Sequence, residues 1–146
     1  MKVQSLGHVV LKVTDLERSE KFYGEVLGMP VCARLNEQGM SMIFFSLGDH
    51  HDLAICEVSG EDSPAGPQAA GLHHVAFRIG TTLDELKEAK AYLDSSGIAS
   101  HPVDHEVTNS LYFNDPDGNM VELYVGVSDV WRKDPQRVAQ LKPLAL

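Results

Sequence analysis

Three short runs along the chain alternate bulky apolar positions with small or polar ones: HVVLKV at 8–13, HHVAFRI at 73–79 and MVELYV at 120–125. Successive side chains of a strand point to opposite sides, so each run splits into two faces. In 73–79, His73, Val75, Phe77 and Ile79 share the face expected to pack on helices. His74, Ala76 and Arg78 then look into the concavity of a curved sheet. In 8–13, Val9, Leu11 and Val13 take the helix side and His8, Val10 and Lys12 the inner side. In 120–125, Val121, Leu123 and Val125 go to the helix side, leaving Met120, Glu122 and Tyr124 inward.

The same plan occurs twice. Segment 5–31 and segment 71–100 each open with a histidine and a strand-like run, then reach a Thr-x-x-Glu capping box, Thr14 to Glu17 and Thr82 to Glu85, which marks a helix start. Phe22, Tyr23, Val26 and Leu27 give the first helix an apolar face, and Leu86, Ala89, Tyr92 and Leu93 the second. Both helices are expected to stop at a glycine, Gly28 and Gly97, suited to the left-handed conformation past a helix end. Further β-type runs follow each helix, SMIFFSLG and HDLAICEV, then NSLYF and NMVELYVG, with DPDG at 115–118 as a hairpin turn.

The expected fold is therefore α+β, two βαβββ modules forming a shared, curved, barrel-like mixed sheet. A single domain is expected over 1–126, with module one at 5–58, a linker at 59–70 rich in Gly, Pro and Ala, and module two at 71–126. The segment 127–146 reads as a helical tail around Trp131 that packs on a neighbouring subunit.

Composition narrows the function. With 43% hydrophobic and 23% charged residues in 146, the chain has the makeup of a globular protein with a sizeable core. A net charge of −9 argues against a nucleic-acid partner. No apolar run approaches a membrane span, and the first 25 residues lack a secretory layout. Cys32 and Cys56 lack CxxC spacing, so free thiols in a reducing cytoplasm are expected.

The alternation delivers His8, His74 and Glu122 to one concave surface. Two imidazoles and a carboxylate suit a divalent transition metal such as iron, manganese, zinc or nickel. Three protein ligands leave coordination positions open, which means chemistry rather than structure. The equivalent positions of His8 and His74 in the two copies favour this over isolated strand histidines.

The segments LGHVVLKVTDLERSEKFYGEVLG, GLHHVAF and SLYFNDPDGNMVELY resemble the vicinal oxygen chelate superfamily, which includes glyoxalase I, fosfomycin-resistance transferases, methylmalonyl-CoA epimerase and extradiol dioxygenases. The resemblance covers residues 5 to about 126 and implies metal ligands at His8, His74 and Glu122. Glyoxalase I and the epimerase use a fourth ligand from the first module. An ungapped alignment of 44–55 on 112–123 puts Ala54 opposite Glu122, and alanine binds no metal. Glu57 has the wrong parity to replace it.

DHHDLAIC followed by GLHHVAF looks like the extradiol pattern, which implies His51 as acid/base, Tyr112 near the substrate and His105 as a further active-site histidine. Alternation alone puts His51 on the Leu53 face unless it sits in the turn before that strand. His50 and His101 read as turn and surface residues, and His73 as one that shapes the site. The implied activity is an Fe(II)-dependent ring-cleaving dioxygenase, with Mn(II) as the other candidate ion, acting with O2 on a small aromatic substrate in a cytoplasmic homodimer. Alternatives are a thiol transferase of the fosfomycin-resistance kind, drawing on Lys12, Arg78 and Arg132, a glyoxalase-like isomerase, and a metal-free sequestering protein of the bleomycin-resistance type.

Overall fold

The computed structural model describes residues 3–37, 39–59 and 70–146. Most of the expected linker at 59–70 lies outside the described residues. The chain divides into two compact units, Met1–Ala70 with Asp115–Asn119, and Gly71–Asn114 with Met120–Leu146.

In the first unit, β1 (Val9–Val13) leads into α1 (Leu16–Glu20), which continues as a π-helical stretch, Lys21–Val26. Strands β2 (Val31–Glu37), β3 (Met40–Phe45) and β4 (Leu53–Glu57) follow, and the sheet order is β1-β4-β3-β2. The second unit repeats this plan with β5 (Val75–Gly80), α2 (Leu83–Ser95), β6 (His101–Asp104), β7 (Thr108–Asn114) and β8 (Met120–Gly126). A two-residue strand, β9 (Lys142–Pro143), extends that sheet to the order β5-β8-β7-β6-β9. The βαβββ order expected from the repeat is thus present twice, in a mixed α+β fold.

Both sheets start from the same register. β1 runs parallel to β4 with Val9 beside Leu53, and β5 parallel to β8 with Val75 beside Val121. Ala54 consequently stands in the first sheet where Glu122 stands in the second, beside Val10 and Ala76 respectively. Alternation sorts the faces as expected in β1, where Leu11 and Val13 are buried and Val10 and Lys12 exposed. It fails at Ile79, which is 37% exposed. A register shift between Arg78 and Gly80 interrupts the period of two at that point.

The second helix has the expected capping box. Thr82 Oγ1 accepts from Glu85 N at 3.3 Å, and Glu85 Oε2 accepts from Thr82 N at 2.9 Å. At its other end Gly97, at φ +75°, allows Ile98 N to donate to Leu93 O at 2.9 Å and Gly97 N to Asp94 O at 3.1 Å, closing a Schellman motif. The first helix departs from expectation. Its cap is Asp15, whose carboxylate accepts from Arg18 N at 2.9 Å. The Thr14 hydroxyl is engaged elsewhere, donating to Asp117 Oδ1 and accepting from Arg18 Nη2 at 3.0 Å.

The bond to Asp117 belongs to a set built on the DPDG turn. Asp115 is 5% exposed. Its Oδ1 accepts from Asp117 N and Asn119 N at 2.9 and 2.8 Å, and its Oδ2 from the Tyr23 hydroxyl at 2.8 Å. Burial, then the Asp115 charge, raises the Tyr23 phenol far above its ordinary range, so it remains a donor.

The tail differs from the expected helix. Two 3-10 segments, Val130–Arg132 and Pro135–Ala139, precede β9, and β9 pairs with β6 of its own sheet, Lys142 beside Asp104. Pro135 at the second segment's start and Pro143 cannot donate the bonds a continuous helix needs. Among the described residues no helix is long and apolar enough to cross a membrane.

Replacing Tyr23 by Phe removes one donor from the buried Asp115 carboxylate and leaves the ring in place. We expect a loss of about 1–3 kcal/mol, read as a lower urea midpoint at unchanged m-value; an unchanged midpoint refutes the assignment.

Candidate metal and active site

Glu122 sits on β8, between β5 and β7, and is 7% exposed. A carboxylate so placed loses hydration and needs replacement partners. The second unit supplies them. Ser110 Oγ, on β7, donates to Glu122 Oε1 at 2.6 Å. His74 Nε2 lies 3.0 Å from Oε2. Tyr112, directly opposite Glu122 in the β7–β8 ladder, places its ring centroid 5.5 Å from that of His74. Its phenol is raised above the ordinary range by burial first, then by the charge of Glu122 and a hydrogen bond to it.

His73 and His74 precede β5 and meet through their Nδ1 atoms at 2.7 Å. One of these nitrogens donates and the other accepts, so His74 presents Nε2 on the Glu122 side. With Oε1 held by Ser110 and Nδ1 held by His73, one nitrogen and one oxygen remain aimed at each other. Metal bonds of 2.0–2.2 Å put neighbouring ligand atoms about 3 Å apart, so the observed 3.0 Å separation fits two ligands of one divalent ion. Outer partners that hold ligands in this way are a regular feature of metal sites.

His105 and Tyr112 form a second pair in the same unit. Gln140 O lies 2.8 Å from His105 Nδ1, and the Tyr112 hydroxyl 3.0 Å from Nε2. A carbonyl only accepts, so Nδ1 donates to it, while Nε2 and the Tyr112 hydroxyl share the second bond. His105 and Tyr112 line two clefts. One, of about 700 Å³, also includes Glu122, Arg78, Tyr124, Trp131 and Arg132. The other, of about 750 Å³, includes His73, His74, His101, Phe113 and Leu141. Arg132 stacks over Trp131 with its guanidinium carbon 4.7 Å from the ring centroid.

In the first unit, His51 occupies the turn before β4, not the strand itself. Its ring centroid is 4.1 Å from that of His8 and 5.2 Å from that of Phe44. Desolvation, followed by His8 and His50, lowers its pKa. Glu57 is engaged elsewhere, its Oε1 accepting from Leu16 N at 3.2 Å at the start of α1. Ala54 is fully buried. Neither offers the first module an equivalent of Glu122.

Within the second unit the structure therefore joins His74 to Glu122 and His105 to Tyr112, and within the first it joins His8 to His51. Sequence reasoning did not name Ser110 or Gln140. Ser110 shares strand parity with Tyr112, a signal that could have found it. Gln140 reaches His105 through a tail segment that carries no periodic pattern.

Residues 5–123 match the sequence profile of the Glyoxalase/Bleomycin resistance protein/Dioxygenase superfamily. The chain is 37% identical over 121 residues to biphenyl-2,3-diol 1,2-dioxygenase 2 of Rhodococcus globerulus, an alignment covering 82% of this chain and 61% of that protein. It thus spans about three fifths of that relative's length. It is 31% identical to the glutathione transferase FosA of Serratia marcescens, over 85% of this chain and 82% of the transferase. The crystal structure of a glyoxalase family protein from Enterococcus faecalis superposes with a TM-score of 0.68 at 28% identity, covering 83% of this chain and 97% of that one. With its profile, relatives and repeated βαβββ plan in agreement, the chain belongs to the glyoxalase/bleomycin resistance protein/dioxygenase superfamily.

Proposed function

We propose that the protein is a metal-dependent dioxygenase of the extradiol type, opening an aromatic vicinal diol beside its hydroxyls with O2. The observation that carries this reading is the paired placement of His74 Nε2 and Glu122 Oε2, 3.0 Å apart, with the Tyr112–His105 pair lining the same cleft. The similarity to a biphenyl-diol dioxygenase supports the substrate class. On this reading His8, which holds in the first copy of the sequence repeat the place of His74 in the second, is the other imidazole ligand.

A divalent ion held there, Fe(II) in the first place and Mn(II) in the second, supplies a common binding point and an electron path for diol and O2. The chain's own residues manage orientation and protons. Tyr112, kept protonated by its surroundings, donates a hydrogen bond to a substrate oxygen. His105, bonded through Nδ1 to Gln140 O, orients the Tyr112 hydroxyl through Nε2 at 3.0 Å. His51 is the further acid/base group, its lowered pKa favouring the neutral ring that accepts a proton. The aromatic and aliphatic lining contributed by Phe113 and Leu141 suits a hydrocarbon ring. The enzyme on this reading is cytoplasmic and pairs with a second copy, which shields the ring-cleavage site.

A thiol transferase of the FosA kind is the second reading, favoured by Arg78 and Arg132 in the cleft that contains Glu122, where two guanidiniums suit an oxyanion. Oxygen uptake separates the two. Anaerobically purified, Fe(II)-reconstituted protein offered a panel of substituted catechols is expected to consume O2 and form a yellow ring-opened product. Glu122→Gln is expected to abolish turnover, and His51→Ala, His105→Ala or Tyr112→Phe to slow it about 10²–10⁴-fold. No uptake with any catechol, together with glutathione conjugation of a phosphonate epoxide, replaces the first reading with the second.

A separate expectation concerns the residues that hold the ligands. Ser110→Ala or His73→Ala should weaken the affinity for the ion about 10–100-fold, measured by competition with a chelator. Unchanged affinity in both variants removes them from the site.

A further inference from the structure

The parallel ladder of the first unit produces a three-histidine grouping, of which the dioxygenase reading uses His8 and His51 in separate roles and His50 in none. Val9 N donates to Asp52 O at 3.1 Å, so the residues just before them, His8 and His51, come side by side. The turn that carries His51 is held in place by its own polar groups. Ser46 Oγ donates to Asp49 O at 2.6 Å, and Leu47 N to Asp52 Oδ2 at 2.6 Å. Gly48, at φ +136°, adopts a backbone that a side chain rarely allows. The result turns His50 toward the same pair. Its ring centroid is 5.8 Å from that of His8 and 4.4 Å from that of His51.

One ring nitrogen from each of His8, His50 and His51 lies within 4.8 Å of the other two. In a tetrahedral site with metal–nitrogen bonds of 2.0–2.1 Å, ligand nitrogens stand about 3.3 Å apart. Small side-chain rotations close that difference, and His8 and His50 are exposed and free to make them. His50 Nδ1 also lies 3.3 Å from Asp49 Oδ1, the carboxylate–imidazole arrangement that fixes the orientation of a ligand ring.

We propose that His8, His50 and His51 form a second metal site, an inhibitory one, that takes a borderline divalent ion such as Zn(II) or Ni(II) through three imidazoles. All-nitrogen ligands favour such ions over magnesium, calcium or manganese, which prefer oxygen. The inhibitory role rests on the proposed dioxygenase, because the ion would occupy His8 and His51, which that activity requires. Binding of the ion does not depend on the reading. The site thus gives the enzyme a means of sensing excess zinc or nickel, with the active site surrendering a ligand as the second site fills.

The test uses full-length protein stripped of metal. Zn(II) and Ni(II) affinities are measured by chelator competition in Glu122→Gln, which removes the carboxylate of the other site. This variant is expected to keep one tight equivalent. Adding His50→Ala or His50→Gln should weaken it at least tenfold, with an unchanged circular dichroism spectrum showing that the fold is intact. Affinity that is unchanged by both His50 substitutions, or that is already lost in Glu122→Gln, overturns the site. In the Fe(II)-loaded wild type, Zn(II) should inhibit O2 uptake, and His50→Ala should raise the half-inhibiting concentration at least tenfold; equal sensitivity overturns the inhibitory role. If Fe(II)-loaded protein takes up no O2 while His50-dependent binding persists, the dioxygenase reading and the inhibitory role fall and the three-histidine site stands.

Discussion

A carboxylate buried in the middle of a sheet is the constraint around which the second unit is arranged. Glu122 is almost wholly removed from water on a strand hydrogen-bonded on both sides, where an unpartnered charge is costly. Its neighbours are therefore specific. A hydroxyl from β7 takes one oxygen, an imidazole ahead of β5 faces the other, and the tyrosine opposite keeps its proton. Each satisfies the charge only partly, so the group remains able to bind a cation.

The two units solve the same folding problem with different residues. Equivalent parallel registers place Ala54 and Glu122 at matching positions, one filling space in a core and the other carrying chemistry. The first unit instead gathers its polar side chains at the end of the ladder, in the turn where His50 and His51 approach His8. Duplication thus supplies the scaffold, and divergence at single positions determines where each half becomes reactive.

Much of this architecture could be read from the chain because strand alternation and helix caps are local. The faces of β1, the capping box of α2, its glycine stop and the DPDG hairpin all follow from residues within a few positions of one another. The first helix cap did not, since the hydroxyl of Thr14 is taken by Asp117, roughly a hundred residues away. Ile79 was misassigned because a bulge breaks the period on which parity depends. The histidines flanking the candidate site were visible as residues, but their partners were not. Pairing His105 with Gln140 requires knowing that the tail returns to β6, and neither charge nor hydropathy encodes that return.

The brief strand β9 also determines how that sheet ends. β6 would otherwise offer its open backbone to any extended segment that approached it. Pro143 and Lys142 pair with Val103 and Asp104 of that row instead, and proline has no N–H with which to extend the hydrogen-bonding pattern. An exposed strand edge is a template for aggregation, and a lysine and a proline placed on it are two of the ordinary means of blunting one. The segment that orients His105 therefore also limits uncontrolled growth of the sheet, linking the chemistry of the cleft to the solubility of the chain.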